Sequence, residues 1–264
     1  MNMIVKNIVI IALMAFVSHA AHAQYAYFPT EGQITYDKTV HVQNLLKRHI
    51  STLKDGDMSR SYFEQLQSKV PETVVLKKKL SFTNTESNFQ HIKEEYAPII
   101  SQLLQMGLLD YQIHSYENLK TNKYIASFDI GGSPILLQDS LLNVKWKITN
   151  EYRNIAGYDC RRANGVILDS VYVVAFYTDQ IPASAGPGSI HGLPGMILGL
   201  VVPEQHFNIY ASKVDFTAPV ITASVGKKKD KPVTRKELYD QMKSIMGDWL
   251  SPRQFNLIMA AIYL

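Results

Sequence analysis

The chain has 264 residues, with 27 lysines and arginines against 23 aspartates and glutamates, and a single cysteine. A formal charge of +4 is too small for the basic footprint of a nucleic-acid binder, so nucleic acid is not expected as a partner. One cysteine excludes an internal disulfide, and a chain of this length must hold itself together by burying apolar surface.

The N-terminus reads as an export signal. Lys6 gives a positive start, Ile8 to Val17 an apolar run, and Ala21-His22-Ala23 a small-x-small cleavage pattern before Gln24. The run is shorter than the roughly 18 residues of a membrane span. Residues 1–23 are therefore expected to be removed, leaving no transmembrane segment and a protein in the periplasm or outside the cell. An antiparallel β domain is expected over 24–226. Residues 227–264 then read as a basic linker, Lys227-Lys228-Lys229 with Lys231, followed by C-terminal helices.

Gly32 to Val42 alternates as a strand, Ile34, Tyr36, Val40 and Val42 on one side, with a break in the frame at Lys38 that suggests a bulge. Leu45 to Leu53 and Tyr62 to Leu66 carry helical spacing around the breaker Asp55-Gly56-Asp57, and Val74 to Phe82 returns to strand composition. Pro98 to Leu109 predicts an amphipathic helix. From Lys123 the chain reads strand after strand: Tyr124–Ile130, Pro134–Gln138, Val144–Thr149, Asn154–Ala163, Val166–Thr178, Gly192–Val202 and His206–Val214. Asn164-Gly165 is the strongest hairpin signal among the connections, and hairpins at this spacing imply an antiparallel sheet. Thr234 to Glu237 forms a capping-box pattern, and Ser251-Pro252 starts a last, nearly all-apolar helix that must be covered.

Between two of these strands lies FYTDQIPASAGPGSIHGLPGMILGL, Phe176 to Leu200, dense in proline and glycine and so a connection of defined shape. GLPGMIL at Gly192–Leu198 resembles the signature of the GLPGLI family, exported proteins of Gram-negative bacteria. The likeness extends to Asp139–Trp146, to Ile155–Cys160 with Ala163, and to Ala175–Thr178 with Ile181-Pro182 and Gly186-Pro187. Gly32–Tyr36 and Glu86–Phe89 fit as well, while Phe176 stands for a usual tryptophan and Met196 for a leucine. The resemblance implies no established activity. It suggests comparison with periplasmic lipoprotein carriers, in which a curved antiparallel sheet half-wraps a helix. The expected fold is thus mainly β (α+β): a curved antiparallel sheet or half-barrel, helices on its concave face, and a C-terminal helical extension.

Candidate chemistry is sparse. Cys160, Asp179 and His191 are the residues from which a hydrolase or metal-dependent site could be built. Cys160 also reads as a small buried hydrophobe, and His191 as an ordinary loop histidine. Tyr177, Thr178, Asp179, Ile181, Pro182, Gly186, Pro187, His191, Gly192, Leu193, Pro194 and Gly195 form the motif loop, either a rigid corner or a gate to an apolar cavity. No recognised phosphate, dinucleotide, metal or nucleophile-elbow motif occurs, and no cofactor or metal is expected. The leading expectation is a non-enzymatic envelope protein binding an apolar or peptide ligand, or serving an outer-membrane system. The alternatives are the enzyme just described and a structural interaction module using Ser251–Leu264.

Overall fold

The computed structural model describes residues 28–264 except 54, 57, 228–229 and 248–249, and the side chain of Met246 is also outside it. The expected signal at 1–23, the middle of the basic run at Lys228-Lys229, and Asp57 of the first breaker therefore lie outside the described residues. Twelve strands form one open sheet: β1 Gly32–Val40, β2 Val74–Phe82, β3 Glu86–His91, β4 His114–Asn118, β5 Lys123–Ile130, β6 Ser133–Asp139, β7 Lys145–Ile155, β8 Tyr158–Ile167, β9 Val171–Thr178, β10 Met196–Val202, β11 Phe207–Asp215 and β12 Pro232–Val233. Five helices accompany them: α1 Val42–Thr52, α2 Met58–Gln67, α3 Pro98–Gln105, α4 Arg235–Met246 and α5 Pro252–Tyr263. The fold is mainly β, and the sheet is antiparallel apart from the parallel pairing of β12 with β6.

The sheet order is β12-β6-β5-β4-β3-β2-β1-β11-β10-β9-β8-β7. Two meanders, β1–β6 and β7–β11, meet where β1 pairs with β11. The chain passes from β6 to β7, ten strand positions apart, between Asp139 and Lys145. Six residue steps reach at most about 21 Å, whereas ten strand spacings on a flat sheet amount to about 48 Å. The sheet must curl until its outer strands approach each other. Helices α1, α2 and α3 contribute Leu46, Phe63 and Leu103 to the main core with Tyr36, Leu80 and Ile197. Helices α4 and α5 pack Leu238, Phe255 and Met259 over Tyr124, Phe128 and Leu137 in a second.

Several sequence expectations need correction. Asn164-Gly165 lies within β8, not at a turn. The hairpin turns on either side are Ala156-Gly157, at φ +51° and +87°, and Leu168-Asp169, at φ +48° and +57°. Gly165 serves packing instead: a Cβ there would sit 2.7 Å from Cζ3 of Trp146, which lies across the strand. The gap expected between the strands Val144–Thr149 and Asn154–Ala163 is a register shift inside a continuous β7. Val42 begins α1 rather than ending a strand. Strand β4 (HSYEN) has a composition that gives no strand signal and was not expected. Just past the basic run, Pro232–Val233 pairs with β6 as β12.

The helix termini follow their sequence signals. Thr234 with Glu237, and Ser251 with Gln254, each form a reciprocal capping box. Proline at the first position of α5 has no N–H to satisfy there, and its fixed φ suits the helix start.

Candidate functional site

The strand alternation places two lysines inside. Along β1 the buried positions are Ile34, Tyr36, Lys38 and Val40, so the break in the apolar frame at Lys38 is a charge facing the core on the strand's regular inner side. Along β2 the same happens: Leu76, Lys78 and Leu80 are all buried. Asp110 follows α3 and lies between them. Lys38 Nζ donates to Asp110 Oδ1 at 2.7 Å, Lys78 Nζ donates to Oδ2, and the Gln112 amide donates to Oδ2 at 2.8 Å. The lysine side chains are 4% and 2% exposed and the aspartate 4%, so two ammonium groups share one carboxylate almost out of reach of water.

The charges are tuned accordingly. Burial pulls Lys78 down to about 8, Lys38 adds repulsion, and Asp110 restrains the fall. Burial alone would push Asp110 up, but the fields and hydrogen bonds of both lysines outweigh it and hold its carboxyl well below the usual range. Lys38 Nζ also lies 4.1 Å from the Phe207 ring centroid, a cation–π contact that spreads the excess positive charge onto an aromatic face. His91, pulled down by burial and then by Lys78, completes the surroundings, its buried Nδ1 without a partner among the described residues.

Lys38 and Asp110 line a cleft of about 470 Å³. Its other walls are mostly apolar: Leu45 from α1, Leu108 and Leu109 from the turn after α3, Phe207 from β11, and Leu257, Ile258 and Ala261 from α5. A second cleft of about 590 Å³, more polar and lined by Gln112, His114 and Asp129, shares Gly107, Asp110 and Tyr111 with the first. The volume and character of the first are those of a small-molecule site, apolar with a few convergent polar groups. The apolar circumference of α5 now has two uses. Phe255, Met259 and Ile262 enter the second core, while Leu257, Ile258 and Ala261 roof the cleft.

The motif corner from Tyr177 to Gly195 fastens that roof. Ser189 donates to the Tyr263 carbonyl twice, from its amide at 3.0 Å and its hydroxyl at 2.8 Å. Farther along α5, Arg253 pairs with Glu204 at 2.9 Å, Gln205 donates to the Leu257 carbonyl, and Asn256 donates to Ser170 Oγ at 3.1 Å. The corner is itself packed. Ile181, Gly186, Pro187, Leu193 and Gly195 are buried, while Asp179, Pro182, Gly192 and Pro194 face solvent. Met196 N donates to the Ile181 carbonyl, Ile197 N to that of Ala185, and Trp146 Nε1 to that of His191, all at 2.9 Å. Gly195, at φ +148°, allows the closest approach, since a Cβ would lie 2.1 Å from the Thr178 carbonyl oxygen. Tyr177 and Thr178 are buried ends of β9.

None of these corner residues lines either cleft. Among the described residues, no hydrogen bond or ion pair joins any two of Cys160, Asp179 and His191. Cys160 is fully buried on β8, its thiol facing the Tyr158 carbonyl and pushed up to about 12 by burial and then by Asp159. Asp179 is exposed. His191 is pulled down by burial, against an opposing pull from the Leu142 backbone, and its buried Nε2 has no partner among the described residues. Among the described residues, no three His, Cys, Asp or Glu side chains converge as a metal site would require. No described helix is long and apolar enough to cross a membrane.

Sequence reasoning passed over Lys38, Lys78 and Asp110. The lysines carried a legible signal, each standing in phase with the apolar face of its strand. Asp110, in a connection after a helix, carried none.

Comparison with known proteins agrees with the motif. A family model described as a protein of unknown function (Porph_ging), a GLPGLI-type family, matches residues 165–199, which span β8's last residues, β9, the corner and most of β10. No curated protein matches the sequence. Two solved structures of PNGF-II, in space groups P21 and C2, are similar at TM-scores of 0.49 and 0.47, each with 13% identity. They cover 80% and 83% of this chain, which spans only 32% and 33% of theirs.

Proposed function

We propose that this chain is an exported, non-enzymatic binding protein for an amphipathic small molecule with an apolar tail and an anionic head. The observation that carries the reading is the pairing of an apolar cleft with a buried, positively unbalanced cluster: Lys38 and Asp110 line the cleft, and Lys78, outside its lining, shares the Asp110 carboxylate. Desolvated like charges are costly, and the cost falls when an anion enters beside them. An alkyl tail lying against Leu45, Phe207, Leu257 and Ile258 gains the hydrophobic term, while a carboxylate or phosphate head meets Lys38. Export rests on the signal pattern at residues 1–23 and on the resemblance to exported proteins.

A binding role fits a site that has no activated nucleophile and no base–orienter pair within hydrogen-bond reach. The test is native mass spectrometry of protein purified from the cells that make it. The expected spectrum carries an adduct with the mass of a long-chain anion, released by organic solvent. A clean ligand-free mass, or an adduct that is cationic or wholly polar, contradicts the proposal.

A further inference from the structure

Seven buried side-chain nitrogen or oxygen atoms lack a well-formed hydrogen bond among the described residues, and six of them belong to one neighbourhood: Ser115 Oγ, Glu117 Oε1, Tyr124 OH, His191 Nε2, and Arg235 Nε and Nη2. The strand register explains the gathering. Glu117 stands opposite Ser87 on β3 and Tyr124 on β5, and Ser115 opposite Ala126, so these side chains share the inner face beneath the C-terminal helices. Ser115, Glu117 and Tyr124 are each at least nine-tenths buried. Arg235 arrives from the other side. The pairing of Val233 in β12 with Leu137 in β6 brings the next residues beside Asp139, whose Oδ2 accepts from the Arg235 amide at 2.8 Å. The field of Arg235 reaches Glu117, Tyr124, Tyr263 and His191.

The Arg235 guanidinium is held in a defined pose. Its Nη1 donates to the Ser140 carbonyl at 2.6 Å and lies 3.7 Å from Asp139 Oδ1. Its Cζ lies 5.0 Å from the Tyr124 ring centroid and 5.4 Å from that of Tyr263. Among the described residues nothing partners the Nε–Nη2 edge, the side-on fork that takes two oxygens of one carboxylate in parallel. A buried fork without a partner among the described residues, beside the Tyr124 and Ser115 hydroxyls that bond to each other, is an arrangement that folded proteins otherwise avoid.

We infer that the Arg235 fork, Tyr124 OH and Ser115 Oγ form an internal binding site for a small carboxylate, closed by α4 and α5. The charge supports a monoanion rather than a dianion, because Asp139 already offsets part of the guanidinium charge. Glu117, raised to about 8 by burial against the pull of Arg235 and Ser87, is mainly neutral at pH 6.5 and can donate its proton to the bound oxygen instead of competing for the fork. This site is separate from the cleft, whose lining includes none of these residues.

The test compares thermal unfolding in sodium acetate and in sodium chloride at equal ionic strength and pH 6.5, together with a crystal of the protein grown with bromoacetate. Acetate is expected to raise Tm saturably where chloride does not, and the bromine anomalous peak should lie beside Arg235. Arg235→Lys keeps the charge but loses the fork, and should raise the half-saturating acetate concentration at least tenfold. Ser115→Ala should raise it about threefold. Equal shifts in acetate and chloride, a bromine peak at Lys38 or none at all, or only water between Arg235 and Tyr124 would overturn the inference. If Arg235→Lys does not fold, the wild-type acetate–chloride difference and the bromine position decide the matter.

Discussion

Replacing Asp110 by asparagine leaves the shape of the buried cluster and removes the carboxylate that two lysines share. The oxygens accept from Lys38, Lys78 and the Gln112 amide, all away from water. Removing one partner of a buried ion pair costs about 3–5 kcal/mol. Part of that cost is relieved if the orphaned Lys78 loses its proton. Lys78 already sits near 8, so neutralising it at pH 7.5 costs less than about 1 kcal/mol. The expected loss for Asp110→Asn at pH 7.5 is therefore about 3–4 kcal/mol.

The pH dependence has a definite sign. Folded Lys78, with its lowered pKa, binds fewer protons than it does unfolded, so stability rises with pH until the unfolded value is passed. The variant leans on this more than the wild type does, and its deficit should shrink to about 1–2 kcal/mol at pH 10. Urea unfolding followed by tryptophan fluorescence at the two pH values measures both numbers. A loss below about 1 kcal/mol at pH 7.5, or a deficit that grows toward pH 10, would refute the reasoning. The companion change Lys78→Met leaves a one-to-one pair of Lys38 with Asp110, and should lie within about 1 kcal/mol of wild type or above it.

Other consequences follow from named contacts. Glu117 is raised from 4.5 to about 8, so the folded state holds a proton that the unfolded state releases, and stability is fully present below about 4.5 and falls as pH rises toward 8. Calorimetry of Glu117→Gln should therefore show Tm exceeding wild type at pH 8.5 and converging with it at pH 4.5; parallel curves would contradict the assignment. Gly195→Ala forces a Cβ against the Thr178 carbonyl and should lower stability by about 2–4 kcal/mol, readable as a drop in the urea midpoint, where a loss under about 0.5 would speak against a rigid corner. Ser189→Ala removes one of the two bonds to Tyr263 at a cost of about 1 kcal/mol, and amide exchange in α5 should quicken while that in β9 and β10 does not.

Much of the architecture was legible because local rules and tertiary packing agreed. Val74–Phe82 has strand composition and is strand β2, and both capping boxes mark true helix starts. The failures have physical causes. Asn164-Gly165 carries turn chemistry but is overruled by Trp146, which needs a residue without a side chain beneath its ring. β4 is formed by pairing with β3 and β5, not by its own composition. The candidate site was harder still. Lys38 and Lys78 each interrupt an apolar face in register, a signal for buried charge, yet a bulge explains such an interruption equally well from sequence alone. Asp110 and Arg235 become partners of distant strands only through the curl of the sheet and the return of β12, which no local pattern announces.

The central claim is that a desolvated excess of positive charge at the end of an apolar cleft selects an anionic amphiphile. Isothermal titration with dodecanoate and dodecanol tests it most directly, since the two share a tail and differ in the head. Dodecanoate should bind at least tenfold more tightly, a difference of about 1.4 kcal/mol, and Lys38→Met should erase that preference while retaining the alcohol. Equal affinities in the wild type, or a preference that survives in Lys38→Met, would contradict it.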